Sequence, residues 1–262
     1  MRTVSPAVKT YFRHDRAASV WWNVDNLPRY KKQTAFVLDN IECGGSRILD
    51  LGAGKGRFSI AAAQAGASEV TAVDISAQML REAETKAEAA GVGDRITFVE
   101  GDVEEFASGG PYDHIFLMEV LVHLPNPNRP LENARNMLED GGTLVLNIDL
   151  PASEIPLFQW LQDASKHLYN LLPALVRRKL HTSRGFPLQV APKIRLETTE
   201  EVLEKIDQDT SVSFSRARDA FRPFTEEDLI ELARSCGYEI VTRKAEYDMG
   251  FKVGLLAVLR PA

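Results

Sequence analysis

Cysteine is scarce in this sequence. The 262 residues include two cysteines, Cys43 and Cys236, which lie far apart and form neither a metal-binding spacing nor a disulfide framework. We therefore expect a reducing, cytoplasmic compartment and no metal held by thiolates. The polar N-terminal residues lack the apolar stretch of a signal peptide, which favours the same compartment.

Long hydrophobic runs and an excess of basic residues are also missing. No run of about 18 apolar residues occurs, so no membrane span is predicted. Lys and Arg number 31 against 37 Asp and Glu, which gives a formal net charge of −6. Because nucleic-acid binding needs basic surface that neutralises phosphates, this balance disfavours a nucleic-acid partner.

From Arg47 onwards, apolar strands alternate with amphipathic helices. This alternation predicts a parallel sheet with helices on both faces. It stops at Pro151 and resumes near Phe224, where residues 225–228 read as a capping box that starts a helix. Five strands are predicted before the interruption and two after it, at 47–51, 69–73, 96–99, 114–118, 143–148, 238–242 and 253–259.

The sequence DLGAGKG, from Asp50 to Gly56, runs from the end of the first strand into the start of a helix. Open α/β sheets bind nucleotides at this place, since small residues allow close approach and the helix N-terminus offers unpaired N–H groups. A dinucleotide fingerprint needs GxGxxG. Both possible registers fail, because Arg57 or Ser59 stands at the last position. A nicotinamide-dependent oxidoreductase is therefore disfavoured.

The spacing GxGxG, with an acid two residues before it, resembles motif I of class I S-adenosylmethionine-dependent methyltransferases. In that family the loop holds the methionine part of the cofactor. Asp74 ends the second strand, where a carboxylate can accept both ribose hydroxyl protons. Asp102 follows the third strand, where the family has an acid beside the adenine amino group. Three acids thus stand in the family's order, each at or directly after the end of its own strand.

The resemblance covers residues 45–149 and 224–260. It implies S-adenosyl-L-methionine as cofactor and a Rossmann-like, doubly wound, mostly parallel seven-stranded sheet whose final strand is antiparallel. We expect one domain with an N-terminal cap segment (1–45), a cofactor-binding core (46–150), an inserted helical substrate cap after strand five (151–222) and a C-terminal helix with a β-hairpin (223–262). The expected cofactor-binding residues are Asp50, Gly52, Ala53, Gly54, Gly56, Asp74, Ile75, Met79, Asp102, Val103 and Met118.

The fourth strand ends in MEVLVHLP, residues 118–125. This resembles the small-molecule branch of the family, especially ubiquinone-pathway O-methyltransferases, whose metal-binding members carry E-x-x-E-H here. Val122 replaces the second acid, so no metal is expected, because hard cations need several oxygen ligands. His123 is our hypothesis for a general base; the alternative is a packing role. Glu119 is expected to face the cofactor or order the loop.

The insertion has an uneven charge and an apolar face. Seven basic residues and no acid lie between Ala164 and Leu196, so this part could attract an anionic substrate or an anionic membrane surface through 157–195. The apolar face packs on the core or a partner subunit, or caps a lipophilic acceptor. Its residues are Leu157, Phe158, Trp160, Leu161, Leu168, Tyr169, Leu171 and Leu172. Tyr11, Trp21, Trp22 and Tyr30 either close the site from the N-terminal side or belong to the core.

The sequence thus favours an enzyme that methylates a small molecule, with methylation at oxygen preferred and a lipophilic or anionic acceptor. A non-catalytic module that binds the cofactor is the alternative, followed by the nicotinamide-dependent oxidoreductase. A nucleic-acid substrate is disfavoured by the charge and by the lack of an Asn/Asp-Pro-Pro-aromatic sequence after the fourth strand. No particular oligomeric state is favoured.

Overall fold

A computed structural model describes residues 4–13, 28–151, 199–206, 221–248 and 251–262. Most of the predicted cap, including its apolar face and its basic residues, lies outside the described residues, as do Trp21 and Trp22. The helices are α1 (Val8–Arg13), α2 (Pro28–Asp39), α3 (Arg57–Gln64), α4 (Ala77–Ala89), α5 (Asn128–Met137), α6 (Thr199–Ile206) and α7 (Glu226–Ser235). The strands are β1 (Arg47–Leu51), β2 (Glu69–Asp74), β3 (Ile96–Glu100), β4 (Tyr112–Leu117), β5 (Leu138–Asp149), β6 (Tyr238–Asp248) and β7 (Phe251–Pro261).

The seven strands form one sheet in the order β3-β2-β1-β4-β5-β7-β6. Strands β1 to β5 pair in parallel, and β7 is antiparallel to both β5 and β6. The predicted mostly parallel, Rossmann-like sheet is thereby confirmed. The order reverses between β1 and β4, and in open α/β sheets ligands bind at such a reversal, beyond the carboxyl ends of the strands.

Apolar layers on both faces hold the sheet between helices. Helices α5 and α7 pack on one face around Leu131 and Leu229, and both of these side chains are fully buried. Helices α2, α3 and α4 pack on the other face around Phe36, Phe58 and Ala87. Strand β1 is buried from both sides, which explains its short, continuous apolar run.

Side-chain caps fix the starts of two helices, and the sequence predicts the second of them. Ser76 Oγ accepts a hydrogen bond from Met79 N (3.3 Å) at the start of α4. At α7, Thr225 and Asp228 form a reciprocal capping box. Such caps satisfy N–H groups that have no partner inside the helix, so α4 begins directly after the carboxyl end of β2.

Several predicted strand boundaries differ from the structure. Helix α2 ends at Asp39, where the Asn40 side chain donates to Phe36 O (2.8 Å). Strand β5 begins at Leu138 rather than at Thr143. Strands β6 and β7 run longer than predicted, to Asp248 and from Phe251. The extra hairpin residues are largely polar, and their pairing is set by the partner strand rather than by their own sequence.

None of the helices in the described part of the chain is long and apolar enough to cross a membrane.

Candidate cofactor and acceptor site

A cavity of about 210 Å³ opens beyond the carboxyl ends of β1, β2, β3 and β4. Ten of the twelve predicted site residues line it: Gly52, Ala53, Gly54, Asp74, Ile75, Met79, Asp102, Val103, Met118 and His123. Asp50 and Gly56 do not. Further lining comes from residues that the sequence did not single out for the site, among them Val8, Lys9, Phe12 and Arg57.

The loop after β1 is held tightly by its own backbone. Gly52 N and Ala53 N both donate to Val73 O, at 2.7 and 2.9 Å. Gly52 has a φ of +80°, and a Cβ at this position would collide with the Val120 side chain. Glycine is therefore required here both by the left-handed backbone and by the close approach of the segment after β4.

Asp74 is fixed at the centre of the cavity wall. Its Oδ2 accepts from Gly54 N and its Oδ1 from Ser76 N, each at 2.8 Å. Burial raises the pKa of the Asp74 carboxyl, and these backbone N–H groups oppose that rise. Each oxygen keeps acceptor capacity for a further donor, so the carboxylate is preorganised to accept hydrogen bonds from the hydroxyl groups of a ligand.

Asp50 lies beneath the loop instead of in the cavity. It is 1% exposed, and its Oδ2 accepts from Ser59 Oγ of α3 at 2.5 Å. Burial raises the pKa of Asp50 to about 6, against the lowering effect of that hydrogen bond. Asp50 thus links β1 to α3 through this hydrogen bond. Gly56 likewise stands behind the loop, at the start of α3, where it packs against Ala83.

Asp102 is engaged by a lysine from the N-terminal helix. Lys9 Nζ lies 2.6 Å from Asp102 Oδ2 and 2.5 Å from Glu104 Oε2, and Asp102 Oδ1 accepts from Glu104 N at 3.0 Å. Burial of Lys9 opposes its charge, but the two acids outweigh burial and raise its pKa. Since Val8 and Phe12 also line the cavity, α1 forms one wall of it.

The segment after β4 carries an unusual backbone conformation. Glu119 has a φ of +61°, the one positive φ outside glycine among the described residues. Its N–H donates to Asn147 Oδ1 (2.5 Å), while Asn147 Nδ2 donates to Glu119 Oε1 (2.8 Å). Gln33 Nε2 also donates to Oε1, at 2.5 Å. These contacts agree with the expected role of Glu119 in ordering the loop. Its partners are the side-chain amides of Gln33 and Asn147, which the sequence did not single out.

Charged side chains lie close to Glu119 on the side of β5 and β6. Arg29 Nη2 lies 2.6 Å from Asp149 Oδ1, 3.4 Å from Glu246 Oε2 and 3.8 Å from Glu119 Oε1. One arginine thus faces three carboxylates. Burial raises the pKa of Glu119, the charge of Asp149 adds to the rise, and Arg29 opposes it.

His123 lies in the short 3₁₀ turn Leu121–His123 that follows. It is 9% exposed. Its ring packs between Phe12 (centroids 4.9 Å apart, 66° between planes) and Phe221 (4.8 Å, 58°). The structure thus brings His123 to the cavity and also gives it the packing contacts of the alternative interpretation.

The two described N-terminal tyrosines take different places. Tyr11 is 2% exposed and does not line the cavity, as expected of a core residue. Tyr30 lines the cavity, and the Arg57 guanidinium lies 4.7 Å from its ring centre. In the described ranges, no group of three or more His, Cys, Asp or Glu residues is arranged to hold a metal ion.

Comparisons with known proteins agree with this geometry. Residues 48–142 match a family model described as a methyltransferase domain. The ubiquinone biosynthesis O-methyltransferase of Xanthomonas euvesicatoria is 29% identical over 137 residues, covering 50% of this chain and 56% of the relative. That of Psychrobacter arcticus is 27% identical over 157 residues, covering 52% and 61%. The chain therefore spans little more than half the length of these curated relatives.

Solved structures show the same fold at low identity. The CcbJ methyltransferase of Streptomyces caelestis gives a TM-score of 0.61 at 19% identity, covering 97% of this chain and 99% of that one. Magnesium protoporphyrin IX methyltransferase of Synechocystis PCC 6803, solved with bound SAH, gives 0.58 at 19% identity and covers 97% of both chains.

Proposed function

Starting from the chain's place among the class I S-adenosylmethionine-dependent methyltransferases, we propose that it binds S-adenosylmethionine and methylates a small molecule, at an oxygen atom. The observation that carries the proposal is the cavity itself. The glycine loop, Asp74 and Asp102 converge on it from three successive strands, at the reversal of strand order where α/β sheets bind their ligands.

The residues of the cavity fit a cofactor without phosphate groups. The loop N–H groups that a pyrophosphate would need already donate within the protein: those of Gly52 and Ala53 to Val73 O, that of Gly54 to Asp74 and that of Gly56 to Ala53 O. A dinucleotide would find few free donors there. This arrangement supports S-adenosylmethionine over a nicotinamide cofactor.

The cavity wall suggests how the parts of the cofactor are held. Asp74 accepts hydrogen bonds from the ribose hydroxyl groups, and Ile75, Met79 and Val103 offer apolar surface to the adenine ring. Asp102 stands at the adenine end, where Lys9 holds its carboxylate in place. The glycine loop and Met118 face the methionine end. When bound, the cofactor supplies a methyl group made electrophilic by a sulfonium; the protein aligns the acceptor and excludes water.

The acceptor enters from the side formed by Phe12, Tyr30, Val120 and Leu124, all of which line the cavity. Their apolar surface supports a lipophilic small molecule. Methylation of a hydroxyl forms a carbon–oxygen bond as the carbon–sulfur bond breaks, and the hydroxyl proton must leave. We propose His123 as the base that takes this proton.

The base role of His123 is separable from its packing role. His123→Gln keeps a polar side chain of similar reach between Phe12 and Phe221 but removes the basic nitrogen. We expect it to lower kcat by tenfold or more while leaving S-adenosylmethionine affinity unchanged. Full turnover by this variant or by His123→Ala would refute the base role.

Turnover is tested with S-adenosylmethionine carrying a labelled methyl group and a panel of phenols, quinol precursors and carboxylates. Label in an extracted product, with stoichiometric S-adenosylhomocysteine, is the expected result. Binding of S-adenosylmethionine without transfer to any acceptor would favour the non-catalytic module instead.

Peripheral membrane contact through 157–195 remains a prediction and has its own test. Sedimentation with anionic phosphatidylserine vesicles is the measurement, and absence of co-sedimentation would refute the contact.

A further inference from the structure

Glu119 combines three features that its role as a loop residue does not require. It lines the cavity on the acceptor side, and its side chain is 27% exposed there. It occupies a left-handed backbone conformation, with φ of +61°, which a residue with a Cβ adopts at a cost. Strain of this kind persists where the surroundings enforce it and is concentrated at functional sites.

The hydrogen bonds to the carboxylate are one-sided. Gln33 Nε2 and Asn147 Nδ2 both donate to Oε1, at 2.5 and 2.8 Å, and Arg29 is nearest to the same oxygen. Among the described residues, no hydrogen bond reaches Oε2. A carboxylate with one oxygen held by two amides and the other without a donor is oriented to receive a donor from a ligand.

The clamp behind Oε1 is rigid. Gln33 is fully buried, and its Oε1 accepts from Arg57 Nη1 at 2.8 Å while its Nε2 serves Glu119. Asn147 is 2% exposed and lies on β5, next to β4 in the sheet. The chain Arg57–Gln33–Glu119 therefore joins the first residue of α3, directly after the glycine loop, to the acceptor side of the cavity.

The charge around Glu119 favours a donor, not an anion. Asp149 and Glu246 stand behind it with Arg29 as their shared cation, so three carboxylates face one guanidinium. Burial and the charge of Asp149 raise the pKa of Glu119, which strengthens the carboxylate as a hydrogen-bond acceptor.

We propose that Glu119 is the acceptor-recognition residue: its Oε2 faces the transferable methyl group and accepts a hydrogen bond from the O–H or N–H group of the acceptor, which orients the attacking atom. The proposal rests on the proposed function. Glu119 would then select acceptors that carry a hydrogen-bond donor at the methylated atom and disfavour those that present only a carboxylate there. Proton removal is a separate step, assigned above to His123.

Two cofactor analogues test the placement of Oε2 without a known acceptor. S-Adenosylhomocysteine lacks the methyl group, and sinefungin carries a protonated amine in its place. A carboxylate that faces the methyl position makes a charge-assisted hydrogen bond to this amine. The ratio of the two dissociation constants, measured by calorimetry, therefore reports the contact and cancels effects shared by both ligands.

Glu119→Gln is expected to reduce the preference for sinefungin by about tenfold or more, with little change for S-adenosylhomocysteine. Glu119→Gly is the second variant, because glycine suits the left-handed backbone and this protein should fold even if the glutamine variant does not. Glu246→Gln is the matched control. It removes a negative charge from the same cluster but does not line the cavity, so the ratio should change less than about threefold.

An unchanged ratio in both Glu119 variants would overturn the proposal, and so would an equal loss of preference in Glu246→Gln. If neither analogue binds the wild-type protein, the proposed function fails first and the Glu119 inference fails with it. Binding of S-adenosylhomocysteine with an unaltered ratio overturns the Glu119 inference alone.

Discussion

The burial of Asp50 predicts that a substitution in the first strand makes the protein more stable. Asp50 is 1% exposed, and burial raises the pKa of its carboxyl from the usual 3.8 to about 6. A difference of about two pKa units corresponds to roughly 3 kcal/mol between the protonated and ionised forms. At neutral pH the folded protein bears this cost, because the ionised group is buried with Ser59 as its nearest donor.

The pH dependence follows from the direction of the shift. The folded protein holds the Asp50 proton more tightly than the unfolded chain does. The resulting stabilisation is fully present below pH 3.8 and is lost as the pH rises through about 6. Asp50→Asn keeps an oxygen that accepts from Ser59 and has no proton to lose.

The assay is urea unfolding of wild-type protein and Asp50→Asn across this pH window. At pH 7.5 we expect Asp50→Asn to be more stable by up to about 3 kcal/mol, or several degrees in Tm, with the difference vanishing near pH 4. Glu69→Gln is the control, because this carboxylate is 49% exposed in a surface pair with Arg47 and should change stability by less than about 1 kcal/mol. Lower stability of Asp50→Asn at pH 7.5 would refute the reasoning.

Two further substitutions test the cavity walls. Gly52→Ala combines a left-handed φ of +80° with a collision against Val120, so we expect more than tenfold weaker S-adenosylhomocysteine binding and a stability loss of about 2–4 kcal/mol. The control is Gly45→Ala, which has a φ of +76° and open space around it and should lose only the backbone cost of about 1–2 kcal/mol. Equal stability losses in the two variants would contradict the predicted collision. Lys9→Met leaves Asp102 and Glu104 close together without their cation, so we expect thermal unfolding to show a stability loss of about 1–3 kcal/mol. The control is Lys252→Met, which removes the more exposed pair with Glu226 and should lower stability by less than about 1 kcal/mol. A similar loss in both variants would contradict a stabilising contact between Lys9 of α1 and these two acids.

The sequence predicted the core of the fold because its central strands β1 and β2 are buried on both faces. Strand β1 is a short apolar run, and the glycine loop follows it without interruption. The cap at Ser76 and the capping box at Thr225 also form between residues that are close in the sequence. Features that depend on such neighbouring residues can be recognised before the fold is known. The acids at the end of β2 and after β3 could be located from the alternation of strands and helices.

The polar network around Glu119 could not be predicted in this way. Gln33 and Asn147 lie 86 and 28 positions from Glu119 along the chain, and neither stands in a recognisable motif. Lys9 and Asp102 are likewise joined only by the folded structure. Periodicity reports which face of an element is buried, but not which distant polar side chains meet.

The ends of β6 and β7 illustrate a related limit. Residues 243–248 are mostly polar, and their strand conformation comes from pairing with β7. An edge strand with one solvated side has a weak apolar pattern, so its length follows from the partner strand that it meets.

The most direct test of the central claim is a calorimetric titration of the wild-type protein and Asp74→Ala with S-adenosylmethionine, beside NAD and NADP. We predict binding of S-adenosylmethionine alone, in the micromolar range, weakened at least tenfold by Asp74→Ala because two ribose hydroxyl groups lose their acceptor. Binding of NAD or NADP in place of S-adenosylmethionine, or equal affinity of Asp74→Ala and wild type, would contradict the account.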